Sequence, residues 1–494
     1  QLRELLNFIQ FRFYRKWADL YFTSEIFLAF VALLLLIISP FLKKNNYFIV
    51  GYATLISFLV TQFFIFKDIF HFEEIFNGFF VLDSFGSFLK CIILTGSGII
   101  IYIYLNVKND KSLERTEFPL VILISVIGMM FMISSNSLLS LFVSMELQSL
   151  ALYILVSFSR DDFSSSEAGV KYFVIGSLST CIFLFGTSLI YGIVGTLSFP
   201  EISKFMSNQG EMPIILIVGL IFILVSMSLK ISAAPFHMWT PDVYQGAPTV
   251  VTAFLSTIPK ISAFAILIRL LVFPFGEIIM NWDKIITILS IASMLVGSLG
   301  ALKQTDLKRL LAYSTINHVG FILMALVPGS EDGITAICIY LIFYVTMNLG
   351  MFAFLLNMRR DNINVTSIKD LSGLYRSQPL MSACLVIFLF SMAGIPPLAG
   401  FIGKLIILNI VIDNNLFYLA IIGVVTSVIS AFYYIRVIKS IIFDNPGDDL
   451  DIMASTQSRI VISLLSFFNL TVVFYPQFFL NLCASITLSL FAVN

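Results

Sequence analysis

Apolar stretches, each about as long as a bilayer is thick, recur from one end of the chain to the other with short polar turns between them. A crossing helix needs roughly 20 mostly apolar residues. That rule predicts fourteen spans, at residues 25–42, 47–66, 82–106, 118–134, 136–158, 167–195, 213–238, 249–274, 284–302, 309–328, 334–358, 379–411, 415–442 and 457–485. The twelfth and fourteenth are too long for straight crossings. The pattern predicts an all-α polytopic membrane protein with no sizeable soluble domain between its spans.

Proline interrupts two spans in a matching way. The seventh reads SMSLKISAAPFHMWTPDVYQGAP, with Lys230 before Pro235, and the twelfth reads LFSMAGIPPLAGFIGK, with Pro397 before Lys404. Proline removes a backbone donor and clashes with the preceding turn, so each helix is expected to break there. Discontinuous helices at corresponding places point to an internal inverted repeat with an ion site near the midplane. The two breaks are five spans apart, which suggests a five-helix unit used twice, spans 4–8 and 9–13. The chain then divides into 1–117 (an N-terminal extension and spans 1–3), 118–274, 284–442, and 443–494 with span 14.

Of the 494 residues 59% are hydrophobic and 12% charged, whereas soluble domains are about 25% charged. Formal net charge is zero, so nothing suggests a nucleic-acid partner. The five cysteines lie in apolar stretches without a C-x-x-C pair, and His71, His237 and His318 are far apart. Neither set reads as a metal or cluster site. No Walker loop or G-x-G-x-x-G opens a helix, so no nucleotide or redox cofactor is expected in this chain. Fifteen Lys and Arg residues border one alternate set of loops and three border the other. The basic side should face the matrix or cytoplasm and both termini the other side, although Arg3, Arg12, Arg15 and Lys16 oppose that bias. Gln1–Leu20 reads as an interfacial helix or an unremoved extension rather than a secretory signal.

Four charges lie deep in spans: Glu146, Lys230, Lys260 and Lys404. Each costs about 2.5–3.5 kcal/mol at the bilayer centre unless it faces a partner or water. Burial disfavours a charged form and an opposite charge favours it. A Glu146–Lys230 pair would therefore hold the lysine's proton, and separating the pair would release it; the competing reading is a structural salt bridge. Lys260 follows Pro259 in mid-span, where snorkelling is difficult, and suits a central relay. Lys404 lies nearer a span end, so snorkelling competes with a relay role. His318, beside Asn317, suits a proton relay or a satisfied core position equally well. His237 reads as a contact at the seventh-span break. Lys171 lies four residues after Glu167 and fits an exposed helix pair or a channel entrance. Lys90 and Arg269 read as snorkelling residues near span ends.

The motifs MELQSLALYILVSF, EAGVKYFVIGSLST, PFHMWTPDVYQGAPTVVTAFLSTIPKISAF, KRLLAYSTINHVGF and AGIPPLAGFIGK carry a resemblance. From about residue 118 to 442 the chain resembles the antiporter-like membrane subunits of respiratory complex I. Within that family it is most similar to the subunit 2 branch, in its long plant- or protist-like mitochondrial form. Lysine at 404 argues against the subunit 4 branch, and an end soon after span 14 argues against subunit 5. The resemblance implies a proton relay through Glu146, Lys230, Lys260 and Lys404, with His318 and Lys171 as further members. It also implies membrane-arm partners, lipid contacts and a mitochondrial inner membrane, or alternatively a bacterial plasma membrane. FMN, iron–sulfur clusters and quinone are then expected in other subunits. A subunit of a multi-subunit cation/proton antiporter shares these motifs and is the alternative; a structural scaffold with locked charges is the third reading.

Overall fold

The computed structural model describes residues 23–491 apart from 43–45, 68, 70–71, 108–112, 209–212, 361–362, 446–449 and 452–454. Gln1–Leu20, His71 and the basic residues Lys43, Lys44, Lys108 and Lys111 lie outside the described residues. Within them, thirteen helices are long and apolar enough to cross a membrane. Pro379–Ala393 and Ala399–Asp413 add a fourteenth crossing in two pieces. The fold is all-α and polytopic; two small hairpins, Glu73–Ile75 with Phe80–Leu82 and Arg359–Arg360 with Ile363–Asn364, join spans.

The seventh span ends at Ile231 and restarts as Trp239–Gly246. Both breaks are built alike. A left-handed residue terminates the first piece, Ser232 (φ 65°) in one and Gly394 (φ 84°) in the other, and a cis proline follows three residues later, Pro235 and Pro397. Residues 233 and 395 each donate a backbone bond five positions back, to Ser228 and Phe390. These bonds close the frayed carbonyl end of each helix as a left-handed C-terminal cap does.

The resemblance between the halves extends to loop contacts. Ser137 bridges Ser198, and Asp306 bridges Ser367. Leu138 donates to Leu197 and Phe199 to Asn136, while Leu307 donates to Thr366 and Ile368 to Thr305. Every partner in the second set lies 169 positions beyond its counterpart in the first. An odd number of crossings separates the counterparts, so one set faces each side of the membrane.

The fourteenth span is also broken, into Thr456–Thr471 and Pro476–Phe491. Ser466 meets Cys384 and Asn469 meets Ser391, so the first piece runs parallel to Pro379–Ala393. Phe479 packs on Phe343 and Thr487 bonds Thr335, so the second piece runs antiparallel to Glu331–Leu356 and keeps the same direction. The span crosses once with a sidestep at Pro476, which explains its excess length.

The eighth span, Thr249–Val272, is buried on every side from Val250 to Val272. It is the axis around which the other helices pack, and Lys260 sits at its middle. Glu331–Leu356 is nearly as enclosed. Spans 5 and 6 instead expose apolar side chains such as Val143, Leu150, Val174 and Leu178, a surface suited to lipid or to another membrane subunit.

Candidate functional site: a line of lysines, hydroxyls and broken helices

Glu146 lies on Leu138–Val156, three residues before Ser149, so both side chains share a helix face. Thr180, from the neighbouring sixth span, donates to the Glu146 carboxylate at 2.5 Å. Lys230, the penultimate residue of Ile214–Ile231, donates to Ser149 Oγ at 2.8 Å. The expected direct Glu146–Lys230 salt bridge is therefore absent from the ion pairs of the described residues. The ammonium meets the hydroxyl one turn along, and Thr180 holds the carboxylate.

Lys260 reaches the break in the seventh span. Its Nζ donates to the Lys230 carbonyl at 3.3 Å and to Ser232 Oγ, and lies 5.3 Å from the centre of the Trp239 ring. Trp239 in turn donates to the Leu229 carbonyl at 2.9 Å. Backbone exposed by the break thus provides the acceptors that a continuous helix would have used internally. A helix carbonyl end carries partial negative charge and favours a cation, so Lys260 needs no carboxylate to remain inside the bundle.

The second half repeats the device with different residues. Lys404, on Ala399–Asp413, donates to the Met392 and Ala393 carbonyls at 3.1 and 3.0 Å and to Ser427 Oγ at 3.2 Å. It is 4% exposed, so the structure does not support the snorkelling alternative. His318, also buried, is enclosed by Tyr340 (Nδ1 to hydroxyl, 2.7 Å), Tyr434 (Nε2 to hydroxyl, 3.4 Å) and the edge of Tyr344.

Lys171 forms the expected pair with Glu167 at 2.8 Å and also pairs with Asp242 at 3.0 Å. Asp242 is shared with Arg309 at 3.0 Å. These groups line a polar cavity of about 480 Å³ on the basic side, with Ser164, Asp306 and Lys308. Lys308 donates to the Gln245 and Ala247 carbonyls, closing the far end of the short helix Trp239–Gly246. His237 is buried at the seventh-span break, and its Nδ1 has no hydrogen-bond partner among the described residues.

Two sequence expectations are corrected. Lys90 and Arg269 do not snorkel: Lys90 is 1% exposed and pairs with the buried Glu25, and Arg269 is 5% exposed and pairs with Asp83 at 2.9 Å. The Glu25 and Asp83 partners were missed because each stands at a span boundary, where a carboxylate ordinarily reads as solvated. The available signal was a carboxylate and a base at similar depth in different spans.

Two discontinuous helices aimed at buried lysines define a membrane protein of the ion-translocating class. A sequence profile of the family described as NADH:quinone oxidoreductase/Mrp antiporter, TM, matches residues 135–430. NADH-quinone oxidoreductase subunit N of Paramagnetospirillum magneticum is 40% identical over 89% of this chain and 91% of its own length. The subunit N of Granulibacter bethesdensis is 42% identical over 86% and 90%. Among solved structures, respiratory complex I from Thermus thermophilus with bound aureothin contains a similar chain, with TM-score 0.80 and 28% identity, covering 93% of this chain and 99% of that one. The Mrp complex from Dietzia sp. gives TM-score 0.82 at 20% identity, covering 96% and 98%, a likeness of fold alone. The chain belongs to the NADH-quinone oxidoreductase subunit N family of antiporter-like membrane subunits.

Proposed function

We propose that this chain translocates protons as a membrane-arm subunit of an NADH-quinone oxidoreductase, driven by redox chemistry carried out in other subunits. The observation that carries this reading is the pair of broken helices, each presenting its carbonyl end to a buried lysine. Glu146 lies half-buried beside the exposed apolar face of spans 5 and 6, where a neighbouring membrane-arm subunit can alter its surroundings. Lys230 donates only 3 residues away from Glu146, and its own carbonyl receives Lys260. A shift in the charge of Glu146 is thereby passed to Lys230 and on to Lys260. His318 and Lys404 continue the line through the second half, and the Lys171–Asp242–Arg309 cavity is its entrance on the basic side.

The energetics suit such a scheme. Moving one charge against 100 mV requires about 2.3 kcal/mol, and changing a proton affinity by two pKa units supplies about 2.7 kcal/mol. Making or losing one close charge contact is of that size. FMN, iron–sulfur clusters and quinone belong to partner subunits in this proposal, and no redox centre is assigned to this chain. The membrane is proposed to be the mitochondrial inner membrane; the relatives named above are bacterial, and in a bacterium the same protein would occupy the plasma membrane.

The test is Lys230→Met in the assembled complex, reconstituted in vesicles. The expected outcome is a lower proton yield per NADH oxidised with the complex still assembled. An unchanged yield sinks the relay.

A further inference from the structure

Lys260 and Lys404 belong to different halves, and neither donates to the other's break. The helices Leu307–Leu326 and Glu331–Leu356 pack on both the helix of Lys260 and the helix of Lys404, and with Phe417–Ile442 they carry a buried aromatic and hydroxyl group: Tyr340 and Tyr344, Tyr434, and His318 with Ser314 one turn apart. Tyr340 and Tyr434 address the two different ring nitrogens of His318, and Tyr434 also bonds Ser314. Tyr340 lies against Gly403, where a Cβ would come within 2.8 Å of its ring, so it abuts the helix position next to Lys404. Lys404 itself lies 5.1 Å from the Phe321 ring, one turn from His318.

We propose that Tyr340, His318, Tyr434 and Ser314 form a hydroxyl–imidazole–hydroxyl proton wire serving the Lys404 side of the relay. The proposal rests on the proton-translocating reading given above. An imidazole with one protonated and one free nitrogen takes a proton at one edge and releases one at the other. In one passage Tyr340 gives its hydroxyl proton to His318 Nδ1 while its oxygen receives another from the Lys404 ammonium through a bridging water, which leaves Lys404 neutral until the first half recharges it. His318 Nε2 gives its proton to the Tyr434 oxygen, and Tyr434 passes its own to Ser314 Oγ, whose proton is taken up by water entering from the basic side. Each group ends neutral, and rotation of the hydroxyls with exchange of the imidazole tautomer restores the start. The steps run equally in reverse.

Tyr344 has a different part. Its hydroxyl donates to the Ser256 carbonyl at 2.5 Å, on the axial helix one turn before Lys260, and lies 3.3 Å from Thr315. A carbonyl has no proton to pass on, so this hydroxyl is committed. The Tyr344 ring lies 5.6 Å from that of His318 and braces it. Tyr344 is a positioning residue and not a member of the wire.

Phenylalanine keeps each ring and removes only the hydroxyl. In the reconstituted complex, Tyr340→Phe and Tyr434→Phe should each lower the proton yield per NADH to the value given by His318→Leu. The Tyr340→Phe/His318→Leu double variant should be no lower than His318→Leu alone. Tyr104→Phe, which loses an equally buried hydroxyl bonded to Leu113 in span 3, should leave the yield unchanged. Ser314→Ala, the smallest change along the same line, should lower the yield too, and serves if a tyrosine variant fails to assemble. Wild-type yield in Tyr340→Phe, Tyr434→Phe or Ser314→Ala, with Lys230→Met still defective, overturns the wire and leaves the wider reading intact. Wild-type yield in Lys230→Met overturns the wider reading itself.

Discussion

Lys404 shows what a single buried cation requires. Its three bonds go to two carbonyls and one hydroxyl, none of them charged. Lys404→Met keeps most of the apolar volume and removes all three donors. The Met392 and Ala393 carbonyls then lose their bonds to a charged donor, worth about 1.5–3 kcal/mol. The expected result is a thermal unfolding transition lower by a corresponding amount, together with reduced proton yield. If yield falls with no loss of stability, the carbonyl bonds contribute little and Lys404 acts only as a proton carrier. Lys230 differs: its partner Ser149 is a single hydroxyl, so removing its charge should affect transport more than stability.

At the scale of the element, the breaks determine where charge can reside. Only the left-handed turn at the end of Pro379–Ala393 lets the chain leave the helix and expose its last carbonyls to Lys404. Gly394 has φ 84°, and a Cβ there would lie 2.9 Å from Lys404 Cδ. Gly394→Ala therefore meets both backbone strain, of order 1–3 kcal/mol, and a displaced lysine. Reduced assembly on a native gel and lower proton yield in the assembled fraction are expected; wild-type behaviour would mean that the turn relaxes without moving Lys404. Ser232 holds the same conformation in the first half and donates no such warning from sequence, since serine favours no left-handed turn. The prolines that announced both breaks were legible because a missing donor is a local property. The closing of the breaks by lysines from other spans was not, because a residue's partner across the bundle has no local signature.

At the scale of the whole molecule, two buried ion pairs among the described residues tie distant segments together. Glu25–Lys90 joins the first span to the third, and Asp83–Arg269 joins the start of the third to the axial helix. Breaking a buried pair by removing one partner costs about 3–5 kcal/mol, whereas replacing both by apolar residues is often neutral. Lys90→Met should lower the thermal stability of the complex by that order, and Glu25→Leu with Lys90→Met should recover most of it. Equal losses in the single and double variants would show that the pair contributes through something other than mutual neutralisation. By contrast, the Lys171–Asp242–Arg309 cluster is about one-third to two-fifths exposed, and exposed pairs are worth about 0–1 kcal/mol; it is a polar opening and not a clamp.

The sequence by itself determined the crossings, the two proline breaks and the placement of Glu146, Lys230 and Lys260 well inside spans, while for Lys404 it left burial and snorkelling open. Each of these follows from hydropathy or backbone chemistry over a few turns of helix, which the order of residues specifies directly. It also contained the histidine and the tyrosines, with no indication that they meet. Only the tertiary structure decided the partners: Thr180 for Glu146, Ser149 for Lys230, carbonyl ends for Lys260 and Lys404, and paired hydroxyls for His318. Glu146 and Lys230 lie 84 positions apart in the chain, and which group a long ammonium reaches depends on a helix rotation of less than one turn. That rotation is set by packing against all the neighbouring helices together, and no single segment of sequence specifies it.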